Sequence, residues 1–191
     1  MRVKIAMIAC GIAAVGIAAS AQTNGMAERF TAAAINMNGS GARTGQVEIV
    51  VNRWSTEAER NRLMTTLEQK GPEKLLDQLQ KLPRVGYIKV NGGLGYDLHF
   101  AHRVPGEDGG ERVVIATDRR IGFWEAANQP RSIDYPFTLI ELRLNADGEG
   151  QGKMSLATKI MIDKKTNTAT LENFETQPVL LESVKRERKT H

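Results

Sequence analysis

The chain has 191 residues, of which 41% are hydrophobic, and its 26 lysines and arginines nearly balance 22 aspartates and glutamates. That length fits one domain with a core of its own, and a net charge of +4 does not call for a nucleic-acid partner. The single cysteine, Cys10, lies in the first segment; with that segment removed, disulfides, thiol catalysis and thiolate metal sites are excluded.

The opening "MRVKIAMIACGIAAVGIAASAQTNG" has the three parts of a secretory signal. Arg2 and Lys4 supply the positive end, residues 5–18 the apolar run, and Ala19, Ser20 and Ala21 the small residues before a cut. A signal peptide over 1–21, cleaved after Ala21, is therefore expected, and with it export to the periplasm or the exterior. The apolar run is shorter than the roughly 18 residues a span needs. Cys10 sits inside that run rather than at its close, where a lipidated cysteine would stand. Cleavage leaves 170 residues with 24 basic and 22 acidic side chains, and no run long enough to cross a membrane.

Residues 22–28 read as a flexible lead-in to a single β-rich domain over 29–184. A first strand is expected over 29–37, although it is rich in alanine. In "QVEIVVNRW", Val47, Ile49 and Val51 alternate with polar residues at the strand period. The pattern then changes. Thr56 and Glu59 have capping-box spacing, so a helix is expected there, with Leu63, Met64 and Leu67 on its buried stripe. Gly71 ends it and Pro72 suits the first turn of a second helix, whose apolar face is Leu75, Leu76, Leu79 and Leu82. The helical pair thus occupies about 56–82.

Strand patterning resumes in "VGYIKV", "YDLHFAHRV" and "ERVVIATD", separated by the turn segments "NGGLG" and "PGEDGG". Later, "FTLIELRLN" turns Ile140, Leu142 and Leu144 one way and Glu141 and Arg143 the other. "KMSLATKIMID" does the same with Met154, Leu156, Ile160 and Ile162, and "ATLENFE" completes an antiparallel meander. "PVLLESV" reads as an edge strand, since Pro178 suits an edge. "KRERKTH", residues 185–191, reads as a solvated basic tail. The expected fold is mainly β: an antiparallel sandwich or partly open barrel of about eight strands, with a two-helix insertion.

Four stretches invite chemistry. In "DLHFAHR", His99 and His102 resemble a metal pair, but at that spacing a regular strand sends them to opposite faces. In "NADGEGQG", Asn145, Asp147 and Glu149 match early positions of a calcium loop, yet the twelfth position is Leu156 where a bidentate glutamate belongs. A hairpin turn accounts for the same residues, and neither a metal nor any other cofactor is expected. "NGGLGY" is glycine-rich but does not open a helix, so it is no phosphate cradle.

The fourth stretch is "GFWEAANQPRSIDYPF". Trp124, Glu125, Asn128, Arg131, Asp134 and Tyr135 combine an aromatic face with amide and charged groups, as a site for a small polar ligand or a peptide would. A long connection anchored by its aromatics across the end of the fold explains the same residues.

"RWSTEAERNRLMTTLEQKG", "KLPRVGYIKV", "ATDRRIGFWEAANQPRSIDYPFTLIELRLNADGEGQGKMSLATKI" and "LENFETQPVLLESV" together resemble a group of predicted secreted bacterial proteins with no established activity. The resemblance covers nearly all of the chain after the signal. It implies export and a single domain, and carries over no site residue. The expected function is an exported, non-enzymatic module that binds a small ligand or an envelope protein. Its pocket is expected between the helical pair and the sheet, or beneath the tryptophan stretch. Two other readings stand beside it: a hydrolase using Glu125, Asp134 and Glu141, and a structural envelope component.

Overall fold

The computed structural model describes residues 27–37, 42–106, 109–119, 121, 137–163, 168–173 and 178–188; at 72, 73, 156–163, 168–173 and 188 it describes the backbone alone. The expected signal segment and residues 122–136 of the tryptophan stretch lie outside these residues. The chain is mainly β, with ten strands and two helices among the described residues.

The strands run β1 (Glu28–Asn36), β2 (Arg43–Val51), β3 (Gly86–Val90), β4 (Tyr96–Leu98), β5 (Phe100–Pro105), β6 (Glu111–Thr117), β7 (Phe137–Leu144), β8 (Glu149–Asp163), β9 (Thr168–Asn173) and β10 (Val179–Arg188). Their order in the sheet is β4-β3-β2-β1-β10-β8-β7-β6-β5, every neighbouring pair is antiparallel, and β9, off this path, pairs with β8. The two ends of this path, β4 and β5, are consecutive in the chain with only His99 between them. Leu98 pairs with Gly86 of β3, and two residues later Phe100 pairs with Ala116 of β6. One interrupted strand therefore touches both edges of the sheet and curls it into a nearly closed barrel.

Of the two expected architectures, the barrel is the one formed. Alternation does the rest. Val47, Ile49, Ile88, Val113, Ile115, Ile140, Leu142 and Met154 point inward and are essentially inaccessible to solvent. With β4 and β5 counted as one interrupted strand and β9 off the ring, eight strands surround this core, a number just wide enough for such side chains to fill. Each apolar side chain of this size contributes roughly 1.5–3 kcal/mol by leaving water.

At one end of the barrel the inward residues are charged. Arg103 bridges to Glu28 at 3.2 Å while its guanidinium lies 4.9 Å from the Trp54 ring, and Arg186 pairs with Glu111. Ser55 guards the neighbouring edge of β5: its N–H donates to Ala101 O at 2.8 Å, and its hydroxyl accepts from Ala101 N at 3.1 Å.

Two expectations about the C-terminal segment are corrected here. β10 continues through 185–188 instead of ending before a solvated tail, because Arg186 has an inward ion-pair partner and the strand has β1 to pair with. Nor is it an edge: β10 lies between β1 and β8, and Pro178 precedes it, where no ladder N–H is required.

The helical insertion forms as α1 (Glu57–Lys70) and α2 (Pro72–Gln80). Thr56 caps α1 by accepting from Glu59 N at 3.1 Å, and Glu59 reciprocates from Thr56 N at 2.8 Å. Gly71, at φ +81°, makes the break that an L side chain resists. Leu63, Leu67, Leu75, Leu79 and Leu82 then pack on Phe100, Ala116, Phe137 and Leu139, the outward side chains of β5, β6 and β7. Among the described residues, leucine thus forms the contact between the helices and this part of the sheet.

Candidate functional site

A cleft of about 480 Å³ opens on the outer face of the barrel, on the side where β3, β2, β1 and β10 lie next to one another. Its lining includes Thr31, Ala33, Gln46, Glu48, Lys89 and Ser183. The ladder explains the hollow. Thr31 pairs with Glu48, which pairs with Lys89, and in the next outward row Ala33 pairs with Gln46. Short side chains on β1 therefore lie beside long ones on β2 and β3.

The β10 wall is irregular. Register slips between Thr31 and Ala33 on one side of the β1–β10 pair and between Leu181 and Val184 on the β8 side, and Ser183 takes a φ of +52°. Such a bulge bends the strand and leaves its extra residue out of the ladder. At the rim, Asn91 and Gly92 form a turn with φ of +49° and +68°, the geometry that Asn-Gly favours in tight hairpins. Asn91 Oδ1 accepts from Gln46 N at 2.8 Å, and Asn91 N donates to Gln46 O at 2.8 Å, which locks the turn against the cleft wall.

The charges in the cleft differ in how far they are satisfied. Glu48 is held by Arg29 at 3.6 Å and by the Tyr87 hydroxyl, which donates to it at 3.5 Å. Lys89 Nζ lies 5.1 Å from the Tyr87 ring, with no carboxylate within ion-pair distance among the described residues. Arg84, also over that ring at 5.8 Å, is instead bridged to Asp97 at 3.1 Å. Among the described residues the cleft therefore presents one cation, an amide, two hydroxyl groups and the Glu48 carboxylate, which Arg29 and Tyr87 engage.

Compared with protein-family models, curated proteins and solved structures, the chain matches none.

The residues singled out in the tryptophan stretch (Trp124, Glu125, Asn128, Arg131, Asp134 and Tyr135) lie outside the described residues. Its flanks do not: Ile121 is fully buried and donates its N–H to Thr138 Oγ1 at 3.2 Å, and Phe137 is buried beneath the helices. Of the three candidate acids, Glu125 and Asp134 share that location. Glu141 sits between two guanidinium groups, 3.3 Å from Arg112 and 2.8 Å from Arg143, on the outer face of β7. Those contacts describe a surface charge cluster.

The two histidines depart from the expected geometry. The interruption at His99 shifts the strand phase, so Leu98 and Ala101 both face the core while His99 and His102 both face the helical insertion. His99 Nδ1 is 3.0 Å from Leu82 O, and its Nε2 is 3.6 Å from Asp118, whose other oxygen accepts from Gln80 at 3.2 Å. This group ties the end of α2 to the barrel seam. His102 stacks on Phe100 and lies 3.8 Å from Glu57; burial pushes its pKa below the ordinary 6.5, with Glu57 opposing the shift and Arg60 adding to it. Among the described residues no group of three or more acidic, histidine or cysteine side chains is placed to hold a metal. The "NADGEGQG" segment is a hairpin turn, in which Asn145 Oδ1 accepts from Glu149 N at 2.9 Å.

The tryptophan stretch drew attention because aromatic and charged residues are conspicuous in a sequence. The cleft was missed because its signal is the opposite. "TAAAIN" places Thr31 and Ala33 at alternate, outward positions, and small side chains on a closed sheet leave a hollow.

Proposed function

We propose that the protein is exported and acts as a non-enzymatic binding module, with its ligand seated in the cleft over β1, β2, β3 and β10. The observation that carries the reading is the cleft itself. Its volume of about 480 Å³ falls in the range of small-molecule sites, and its convergent polar groups stand on paired strands rather than on loops. Export is supported by the three-part opening of the chain, and an exported module meets its ligand in the cell envelope or outside it.

Replacement of Ala33 by tryptophan tests the assignment. Ala33 is exposed, so the larger side chain fills the cleft without entering the core. In a fragment screen followed by amide chemical shifts, binders are expected to perturb Thr31, Gln46, Lys89 and Ser183 in the native protein, and to lose this effect in the Ala33→Trp variant. Shifts that cluster elsewhere, or persist in the variant, contradict the assignment.

A further inference from the structure

The chemistry of the cleft narrows the ligand class. Resting on the binding reading above, we infer that the cleft selects a hydroxyl-rich ligand that carries carboxylate, an acidic saccharide, with one carboxylate meeting Lys89. The ammonium of Lys89 lies over the Tyr87 ring and has no carboxylate within ion-pair distance among the described residues, so its charge is open to an incoming anion. Glu48 does not compete for it, because Arg29 and Tyr87 hold that carboxylate.

The remaining groups suit a sugar. Thr31 and Ser183 bring hydroxyl groups and Gln46 a carboxamide, each able to donate and accept, as the hydroxyl groups of a saccharide require. Other ligand classes fit less well. A peptide that adds as a strand needs an open edge, and β1, β2 and β3 are each paired on both sides while β10 lies between β1 and β8. A nucleobase needs an aromatic face, and the nearest ring, Tyr87, is occupied by Lys89 and Arg84. Among the described residues the cleft offers a lone ammonium, without the Arg fork or backbone amide nest typical of phosphate sites, which matches one negative charge.

The test is a calorimetric and amide-shift titration of the full mature protein with digalacturonate, with neutral digalactose and with inorganic phosphate. The expected result is that digalacturonate binds at least about tenfold more tightly than digalactose, the scale of one charge-assisted contact, and weakens with added salt. Lys89→Gln is expected to erase that preference and Lys89→Arg to keep much of it, with both variants unfolding at the native temperature. Equal affinity for the acidic and neutral sugars, or a preference that survives Lys89→Gln, overturns the role of Lys89. Phosphate reproducing the digalacturonate shifts at equal affinity overturns the saccharide class in favour of a bare anion site. Fragments that perturb the cleft while both sugars fail to bind overturn the ligand class and leave the binding reading standing. Loss of both sugars and all fragments overturns the two together.

Discussion

Arg53 and Glu59 meet in a fork of two hydrogen bonds of 3.0 Å each, and Arg53 also donates to Pro83 O at 3.2 Å. One side chain thus joins the end of β2, the first turn of α1 and the segment leaving α2. The Arg53 hydrogen bond is the main reason that the Glu59 carboxyl lies below its ordinary 4.5; burial opposes the shift, and the bonds with Thr56 reinforce it. The sign follows from linkage. A lowered folded pKa means that the pair contributes fully above the unfolded value and that its contribution is lost as pH falls through the folded value. Glu59→Gln is therefore expected to cost about 1–2 kcal/mol at neutral pH and to flatten the loss of stability on acidification below about pH 4.5. Urea unfolding across that range measures both effects; an unchanged midpoint at neutral pH contradicts the role given to the fork. The capping half of this arrangement is legible in the sequence, since Thr56 and Glu59 stand three apart. The Arg53 half is not, because it depends on how the chain returns after α2.

At the scale of elements, strand and helix patterning is largely legible, and the departures have local causes. Inward alternation follows the sequence at Val47, Ile49 and Val51 of β2 and at Ile140, Leu142 and Leu144 of β7, because these residues face one core, whereas Phe137 and Leu139 of β7 face the helices. "DLHFAHR" breaks the rule at His99, where the chain changes partner from β3 to β6. The glycines of β8 record another constraint. A Cβ on Gly150 would stand 1.9 Å from Arg143 O, and one on Gly152 would stand 2.7 Å from Glu141 O. Curvature brings β7 and β8 this close on the inner face. Gly150→Ala is expected to destabilise by about 1–3 kcal/mol or more, although alanine is ordinarily no worse in a strand. Gly95→Ala, whose Cβ meets nothing closer than 3.6 Å, serves as the control and is expected to change stability by less than about 0.5 kcal/mol. Thermal unfolding of the two variants distinguishes backbone crowding from a general effect of removing glycine; equal changes contradict the crowding.

For the whole molecule, strand count and antiparallel order are legible, whereas closure is not. Closure depends on which distant strands pair, and no local pattern says that β10 lies against β1. "KRERK" shows the difficulty most plainly: charge density suggests solvent, but 185–188 continue β10, and Arg186 turns inward to Glu111 at the barrel end. The cleft depends on the same pairing, since its β10 wall at Ser183 stands beside β1 only if the barrel closes. The proposed site is therefore a consequence of topology more than of any motif. The most direct test is a nuclear Overhauser experiment on the isotope-labelled protein. The account predicts a ladder of cross-strand contacts linking Arg29 with Glu187, Thr31 with Lys185 and Ala34 with Leu181. Contacts from β1 to β2 alone, with coil-like shifts over 185–188, would contradict closure and remove the wall of the cleft.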